Sequence, residues 1–278
     1  MDAGAGPAAR RRYLGKRLRA LRGERSSAEV MAQARISQPT LSRIEGGRGT
    51  IVPRNVASLL RIYGVPDAEA DRLMDLAVSS EERGWWESYS DIIGKGFEIY
   101  ASLEPDAAEI WMYQAEFVPG LFQTADVLAA LHLALRPELA QEEIDRLIEL
   151  RMERQSVVRA RVTAVVNEAV LHRPIGSPEV WRAQLTRLRA EAERGQVRVL
   201  PFSAGAHPAM AGAFSMLKFD DFEDTEDMDL VYVATERGSM YFEKPGDLIR
   251  YGQVFTRVRD MALSPEESAD LLTTLGRE

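Results

Sequence analysis

Residues 35–49 read RISQPTLSRIEGGRG, a stretch whose residue types suit hydrogen bonding rather than bond making. Leu41 and Ile44 stand three apart and turn one side of a helix toward a core, which leaves Gln38, Ser42 and Arg43 pointing outward together. That outward face carries an amide, a hydroxyl and a guanidinium, so it offers donors, acceptors and one fixed positive charge. Its natural counterpart is a polar, anionic surface. DNA is the obvious case, yet the chain as a whole has a formal net charge of -8.

The elements that would hold this face are written in the same sequence. Ser37 is placed to cap a helix, Pro39 falls in the first turn, where a missing N–H is harmless, and Gly46-Gly47 supplies the stop. Just upstream, SSAEVMAQA predicts a second short helix with Ser26 or Ser27 as cap and Val30, Met31 and Ala34 facing inward; only Arg35 and Ile36 separate the two. Two short helices on a tight turn make a helix-turn-helix. Leu14, Leu18 and Leu21 form the apolar stripe of a helix before them, and Val56, Leu59, Leu60 and Tyr63, then Leu73, Leu76 and Ala77, form two after. The expectation is a compact five-helix bundle. Glu45, an acid at a helix C-terminus, opposes the macrodipole, so an ion pair with an arginine of the first helix, Arg22, is expected. Charge is divided unevenly along the chain: residues 1–66 hold 13 Lys and Arg against four acids, a balance of +9, which leaves -17 for the remainder. A small basic block on a large acidic one reads as a polyanion-binding module joined to a body that the polyanion repels.

The segment ISQPTLSRIEGGR resembles the recognition helix and following turn of the XRE family of helix-turn-helix regulators. The resemblance implies a helix lying in the major groove, with its early residues against base edges and the loop after it on phosphate. Carried onto this sequence, it makes Ser37, Gln38, Thr40, Ser42 and Arg43 the candidate DNA contacts, and Arg48 and Arg54 candidate phosphate ligands. Gln can pair bidentately with adenine and Arg with guanine, while the hydroxyls adapt to either. The chain departs from the family's pattern at three positions: Ser27, where a phosphate-binding Gln usually stands, Met31 in place of a buried Ala, and Arg35 in place of the turn Gly. A non-glycine residue in a left-handed turn costs on the order of 1–2 kcal/mol.

From about residue 80 the texture changes. EERGWWESYSDIIGKGFEIYASLE sets Trp86, Tyr89, Ile93, Phe97 and Tyr100 at helical spacing, predicting a connecting helix. AEIWMYQAEF alternates as a strand, helices follow over 124–135 and 139–158, VTAVVNEAVLHR reads as another strand, and SPEVWRAQLTRLRAEAER as a helix capped by Ser177. QVRVLPF, AGAFSMLKF, DLVYVAT and SMYFEK read as successive strands before helices over 246–261 and 265–275. The fold class expected is α+β overall: an N-terminal all-α five-helix helix-turn-helix bundle followed by a larger α+β domain with one sheet flanked by helices. The boundaries drawn are a disordered basic tail over 1–11, the helix-turn-helix domain over 12–79, the connecting helix over 80–103, and the α+β signal- or partner-binding domain over 104–278.

With 278 residues, 45% hydrophobic and 28% charged, two soluble domains fit the composition. The absence of cysteine excludes disulfides and thiolate metal sites, and three scattered histidines make no metal cluster. His207 is followed by Pro-Ala-Met and His172 by Arg-Pro, so neither begins the His-x-Lys pair of phospholipase-D-like catalysis, and Ser203 near His207 lacks a Gly-x-Ser-x-Gly elbow. DDFEDTEDMD has neither the glycine nor the spacing of a calcium loop and reads as a solvated hairpin tip. The expectation is no enzymatic activity, no metal and no cofactor. Neither a signal-like leader nor a membrane-spanning run is seen, which predicts a cytoplasmic protein with no membrane partner.

The body carries a second resemblance. VPGLFQTADV, NEAVLHRPIGSPEVWRAQLTRL, VRVLPFSAGAHPAMAGAFSMLKF, VYVATERGSMYFEKPGDLIRY and ALSPEES run in order and cover nearly all of it. Together they resemble the uncharacterised, antitoxin-like domain that follows the XRE domain in many actinobacterial regulators. That resemblance implies a very small partner protein encoded nearby and names no ligand. The loop PFSAGAHPAMAGAF, slung between two strands, is the candidate contact region through Phe202, His207 and Phe214, and Trp111, Tyr113, Phe122 and His172 complete the candidate ligand- or partner-binding set. The function expected is a sequence-specific, DNA-binding transcriptional regulator that acts on a double-stranded operator as a homodimer, its C-terminal domain sensing a small partner protein or a small molecule. The alternative is an antitoxin-like interaction protein that sequesters a small partner, with DNA binding secondary or lost.

Overall fold

The computed structural model of the chain describes residues 7–80, 85–94, 96–220 and 228–277. These form two compact units, the first running to Glu87 and the second taking up at Ser88.

The first unit is built from α1 (Pro7–Arg22), α2 (Ser27–Ala34), α3 (Gln38–Glu45), α4 (Pro53–Tyr63) and α5 (Asp67–Ser79). Ser26 and Glu29 close a capping box on α2, and Ser37 caps α3 with Pro39 in its first turn, so the two short helices start where local chemistry dictates. Leu14, Leu18, Val30, Leu41, Ile44, Val56, Leu59, Leu60, Leu73 and Ala77 meet in one core. Met31 lies at the margin of that core, half-buried, where its extra volume has room. Residues 7–11, expected as part of a disordered tail, are instead the start of α1. Ala8 and Ala9 are buried, while Arg10 and Arg11 donate to the carbonyls of Ser79 (3.2 Å) and Ser80 (2.6 Å), which end α5 without helical partners. The rest of that expected tail, residues 1–6, lies outside the described residues.

The connecting helix expected over 80–103 is not continuous. Residues Trp85–Tyr89 form a 3-10 turn, and α-helix resumes only at α6 (Phe97–Leu103). Gly96, at a φ of 86°, holds a left-handed conformation that no helix can propagate through, so the aromatic spacing across it does not describe a single face.

The second unit carries one six-stranded sheet made of β1 (Glu109–Gln114), β2 (Arg161–Asn167), β3 (Val197–Leu200), β4 (Phe214–Lys218), β5 (Leu230–Thr235) and β6 (Gly238–Phe242). The spatial order is β3-β2-β1-β4-β5-β6. β1, β2 and β3 are parallel, and β4, β5 and β6 add on as antiparallel neighbours. The parallel half needs crossovers, which α7 (Ala125–Leu135) and α8 (Gln141–Val157) supply between β1 and β2, and α9 (Glu168–Leu171) and α10 (Pro178–Glu193) between β2 and β3. Ala164, Val165 and Val166 are fully buried, as a parallel strand covered on both faces requires. Two helices complete the chain, α11 (Pro245–Met261) and α12 (Pro265–Leu275). Of the acidic stretch DDFEDTEDMD, residues 221–227 lie outside the described residues.

Strand alternation gives the sheet two different faces. Trp111, Tyr113, Phe214 and Met216 join Phe255 and Val258 of α11 in an apolar core on one face. The opposite face presents Met112, Ser215 and Tyr232, which sit side by side across β1, β4 and β5.

Candidate functional sites

On α3, the residues singled out for hydrogen bonding divide by position. Gln38, Ser42 and Arg43 are exposed, whereas Leu41 and Ile44 are buried in the bundle core. Ser37 and Thr40 hold each other instead: their hydroxyls lie 2.9 Å apart, and the Ser37 oxygen also accepts from the Thr40 N–H, so both help to start the helix. Arg48 follows the Gly46-Gly47 stop and Arg54 stands in the first turn of α4, both exposed. Among the described residues, no carboxylate pairs with Arg35, Arg43, Arg48 or Arg54. Glu45, the one acid on α3, is neutralised by Arg22 of α1 at 2.7 Å, with both side chains largely buried.

That last contact illustrates a division of labour among the basic residues of the bundle. Arg10 and Arg11 close α5, Arg22 answers Glu45, and Arg17 holds Glu69 of α5 at 2.6 Å. The arginines of α1 are therefore largely structural, and the free positive charge gathers around α3. Two glycines set the orientation of that helix. A Cβ on Gly15 would stand 2.5 Å from the Ile44 carbonyl oxygen, and one on Gly47 would stand 2.6 Å from Cα of Arg12, so α1 and the end of α3 touch backbone to backbone. Arg35 ends α2 at a φ of 53°, and among the described residues it is the only non-glycine with a positive φ. The left-handed turn expected there is present, with its strain.

In the second unit, the candidate ligand residues are not brought to one place. Trp111 stacks on Phe255 at 5.0 Å beneath the Lys218 ammonium. Tyr113, His207 and Phe214 do meet, with ring centroids 5.7 and 6.4 Å from Tyr113, and His207 Nδ1 is buried there with no hydrogen-bond partner among the described residues. His172 and Phe202 stack on the surface, both tied to Glu168: the Phe202 N–H donates to its carboxylate at 2.6 Å and His172 lies 3.3 Å from it. Phe122 is buried, its carbonyl accepting from Gln184 of α10.

The residues that enclose a cavity are mostly others. A space of about 260 Å³ opens between the Met112–Ser215–Tyr232 face of the sheet and α6, α7 and α8. Phe97, Tyr100, Leu131 and Leu135 supply apolar wall, and Gln114, Gln123, Arg151 and Arg154 supply polar groups. Arg154 is fully committed: it grips Glu104 through two hydrogen bonds of 2.5 and 2.7 Å, and its guanidinium lies over Phe97 and Tyr100. Burial works against the Arg154 charge, and the Glu104 carboxylate more than restores it. Arg151 has no such partner among the described residues. It donates only to the Gln123 side-chain oxygen at 3.0 Å, and burial, with Arg154 beside it, pushes its guanidinium down to about 9. Gly120 explains part of the VPGLFQT motif, since a Cβ there would collide with the Arg151 guanidinium. Gln155 and Gln184 fasten the rest of that turn by its carbonyls and the Thr124 N–H.

Against known families, residues 13–73 match a helix-turn-helix domain, a DNA-binding fold, and residues 97–274 match a domain of unknown function, DUF5753. No curated protein and no solved structure matches the chain.

Proposed function

Because the chain belongs to the DUF5753 family and carries a helix-turn-helix domain ahead of that region, we propose that it is a non-enzymatic, sequence-specific transcriptional regulator of the XRE type. In this reading α3 enters the major groove of a double-stranded operator, Gln38, Ser42 and Arg43 read base edges, and Arg48 and Arg54 take phosphate. The observation that carries it is the charge arrangement at α3. Among the described residues its outward face is free of carboxylate partners, and its single acid, Glu45, is removed from the field by Arg22. The acidic remainder of the chain keeps sequence-blind DNA affinity low, so that only an oriented reader holds DNA. A homodimer fits this scheme, because one two-turn helix spans only a few base pairs and paired half-sites about one helical turn apart supply the rest. The body receives the signal, from a small protein or a small molecule.

Binding to DNA from upstream of the protein's own gene, followed by fluorescence anisotropy over a salt series, tests the reading. Affinity should fall with a log–log slope of about -0.9 per phosphate neutralised. Arg43→Ala should lose about 1–3 kcal/mol on the operator and little on scrambled DNA, whereas Arg48→Ala should weaken both alike and flatten the slope by about one unit. If Arg43→Ala weakens the two DNAs equally, the base-reading role is wrong. If neither variant changes anything, the helix-turn-helix is a relic and the chain is a sequestering, antitoxin-like interaction protein.

A further inference from the structure

The reading of the body as signal receiver leaves the signal's chemistry open, and the cavity beside Arg151 narrows it. Two guanidinia border that space, and only one is neutralised from within, by the bidentate Glu104–Arg154 pair. Arg151 is partly withdrawn from water into this cavity, and a positive charge so placed without an acidic partner is costly to hold, so such a group is retained where something else completes it. Among the described residues, Arg151 keeps only the amide oxygen of Gln123. Around it the polar groups are few and convergent: Gln114, Ser215 and the Tyr100 hydroxyl, which is buried without a well-formed hydrogen bond. The remaining wall is apolar, and it continues outward, since Phe117 and Leu135 line the cavity and are about half exposed.

We propose that this cavity binds a small carboxylic acid with an apolar body, its carboxylate on Arg151 and its hydrocarbon against Leu131, Leu135 and Phe117. A single unneutralised guanidinium matches one negative charge, which favours a carboxylate monoanion over a phosphate dianion. The volume, about 260 Å³, lies just under the usual range of roughly 300–1,000 Å³ for ligand pockets, so the occupant is a short chain or a single ring. A larger groove of about 460 Å³ beside Trp111, Arg250 and Arg257 is weaker ground, because its arginines are exposed to solvent and need no ligand to compensate them. The inference rests on the body being the sensing part of the chain, but it is tested without DNA, so its failure would leave the operator titration to be judged separately.

The test is calorimetric titration of the full-length protein with octanoate and phenylacetate, alongside octanol (tail without charge) and acetate and inorganic phosphate (charge without tail). One of the two acids should bind saturably, with the others at least about tenfold weaker, and Arg151→Gln should weaken that acid by about tenfold or more. Leu135→Glu places a negative charge at the exposed mouth, where folding is unaffected, and should weaken it likewise even if Arg151→Gln proves unstable. The proposal is overturned if octanol binds as tightly as the acids, if both variants bind like the parent, or if neither acid binds. A short peptide ending in a free Leu carboxylate supplies the last arm: if it binds and both free acids do not, the cavity receives a protein C-terminus and the small-acid assignment is wrong.

Discussion

In the bundle, Arg43 and Arg48 stand exposed around α3 with no carboxylate partner among the described residues, while in the body Arg154 lies buried against the rings of Phe97 and Tyr100 and Arg151 lies partly buried beside it in the cavity beneath the sheet. The exposed arginines carry almost no desolvation penalty, and each contact they make is weak and screened by salt, so they suit a partner that offers many phosphates at once. Those withdrawn from solvent, Arg154 fully and Arg151 in part, are costlier to hold and therefore more selective, because a group of opposite charge in the right place compensates them best. Arg154 has that group in Glu104, and among the described residues Arg151 has none. The same side chain is thus suited to a polyanion when many copies face solvent, and to a single anion when one copy is withdrawn from it.

The largest expected effect breaks the buried half of this comparison. Glu104→Gln keeps the shape and leaves Arg154 charged and unmatched, which should destabilise the second unit by about 3–5 kcal/mol. Scanning calorimetry should show that unit's transition fall; an unchanged transition would mean that water reaches the pair and that burial is not what sets these arginines apart. Next comes the backbone contact that aims the exposed half. Gly15→Ala forces α1 and α3 apart and should cost about 1–3 kcal/mol in the bundle together with operator affinity. Gly23→Ala is the control, since a Cβ there meets nothing within 4 Å and only the φ of 55° opposes it. Because the φ at Gly23 exacts its own stability cost, the discriminating readout is DNA: equal losses of operator affinity from the two would show that the close approach does not position α3. The smallest effect has the opposite sign: Arg35→Gly relieves the left-handed turn and should raise the bundle's stability by about 1 kcal/mol, read as a shift in denaturant midpoint. A loss of stability would mean that the Arg35 side chain supports the turn after all.

Much of the reader was legible because its determinants are local. The Ser37 cap, Pro39 in the first turn and the Arg35 turn each act within a few residues, and the Glu45–Arg22 pair followed from the need to quiet an acid at a helix C-terminus. The strands of the body were legible by alternation, but the ligand residues drawn from them were aromatic and conspicuous, and Trp111 and Tyr113 face α11. The cavity uses their neighbours Met112 and Gln114, with Arg151 from the helix expected over 139–158, whose residues were not among the candidates. The connecting helix over 80–103 failed for a related reason: the aromatic spacing was right for a helix, while Gly96 breaks the chain that would have carried it.

By itself, the sequence determined where the two helices of the reader, α2 and α3, begin and end, that a basic helix-turn-helix precedes an acidic α+β body, and which residues of α3 point outward, whereas VTAVVNEAVLHR, read as one strand, is β2 followed by the short α9. Those outcomes depend on caps, turns and periodicity, which act over one or two turns of chain. The tertiary structure alone decided which arginines are free and which are consumed. Arg11 closes α5 at Ser80, Arg17 holds Glu69 and Arg154 holds Glu104, pairings between residues far apart in the chain that exist only once particular helices have packed together. Charge can be counted in a sequence, but whether water or another residue compensates it is settled by burial, and burial belongs to the packed chain.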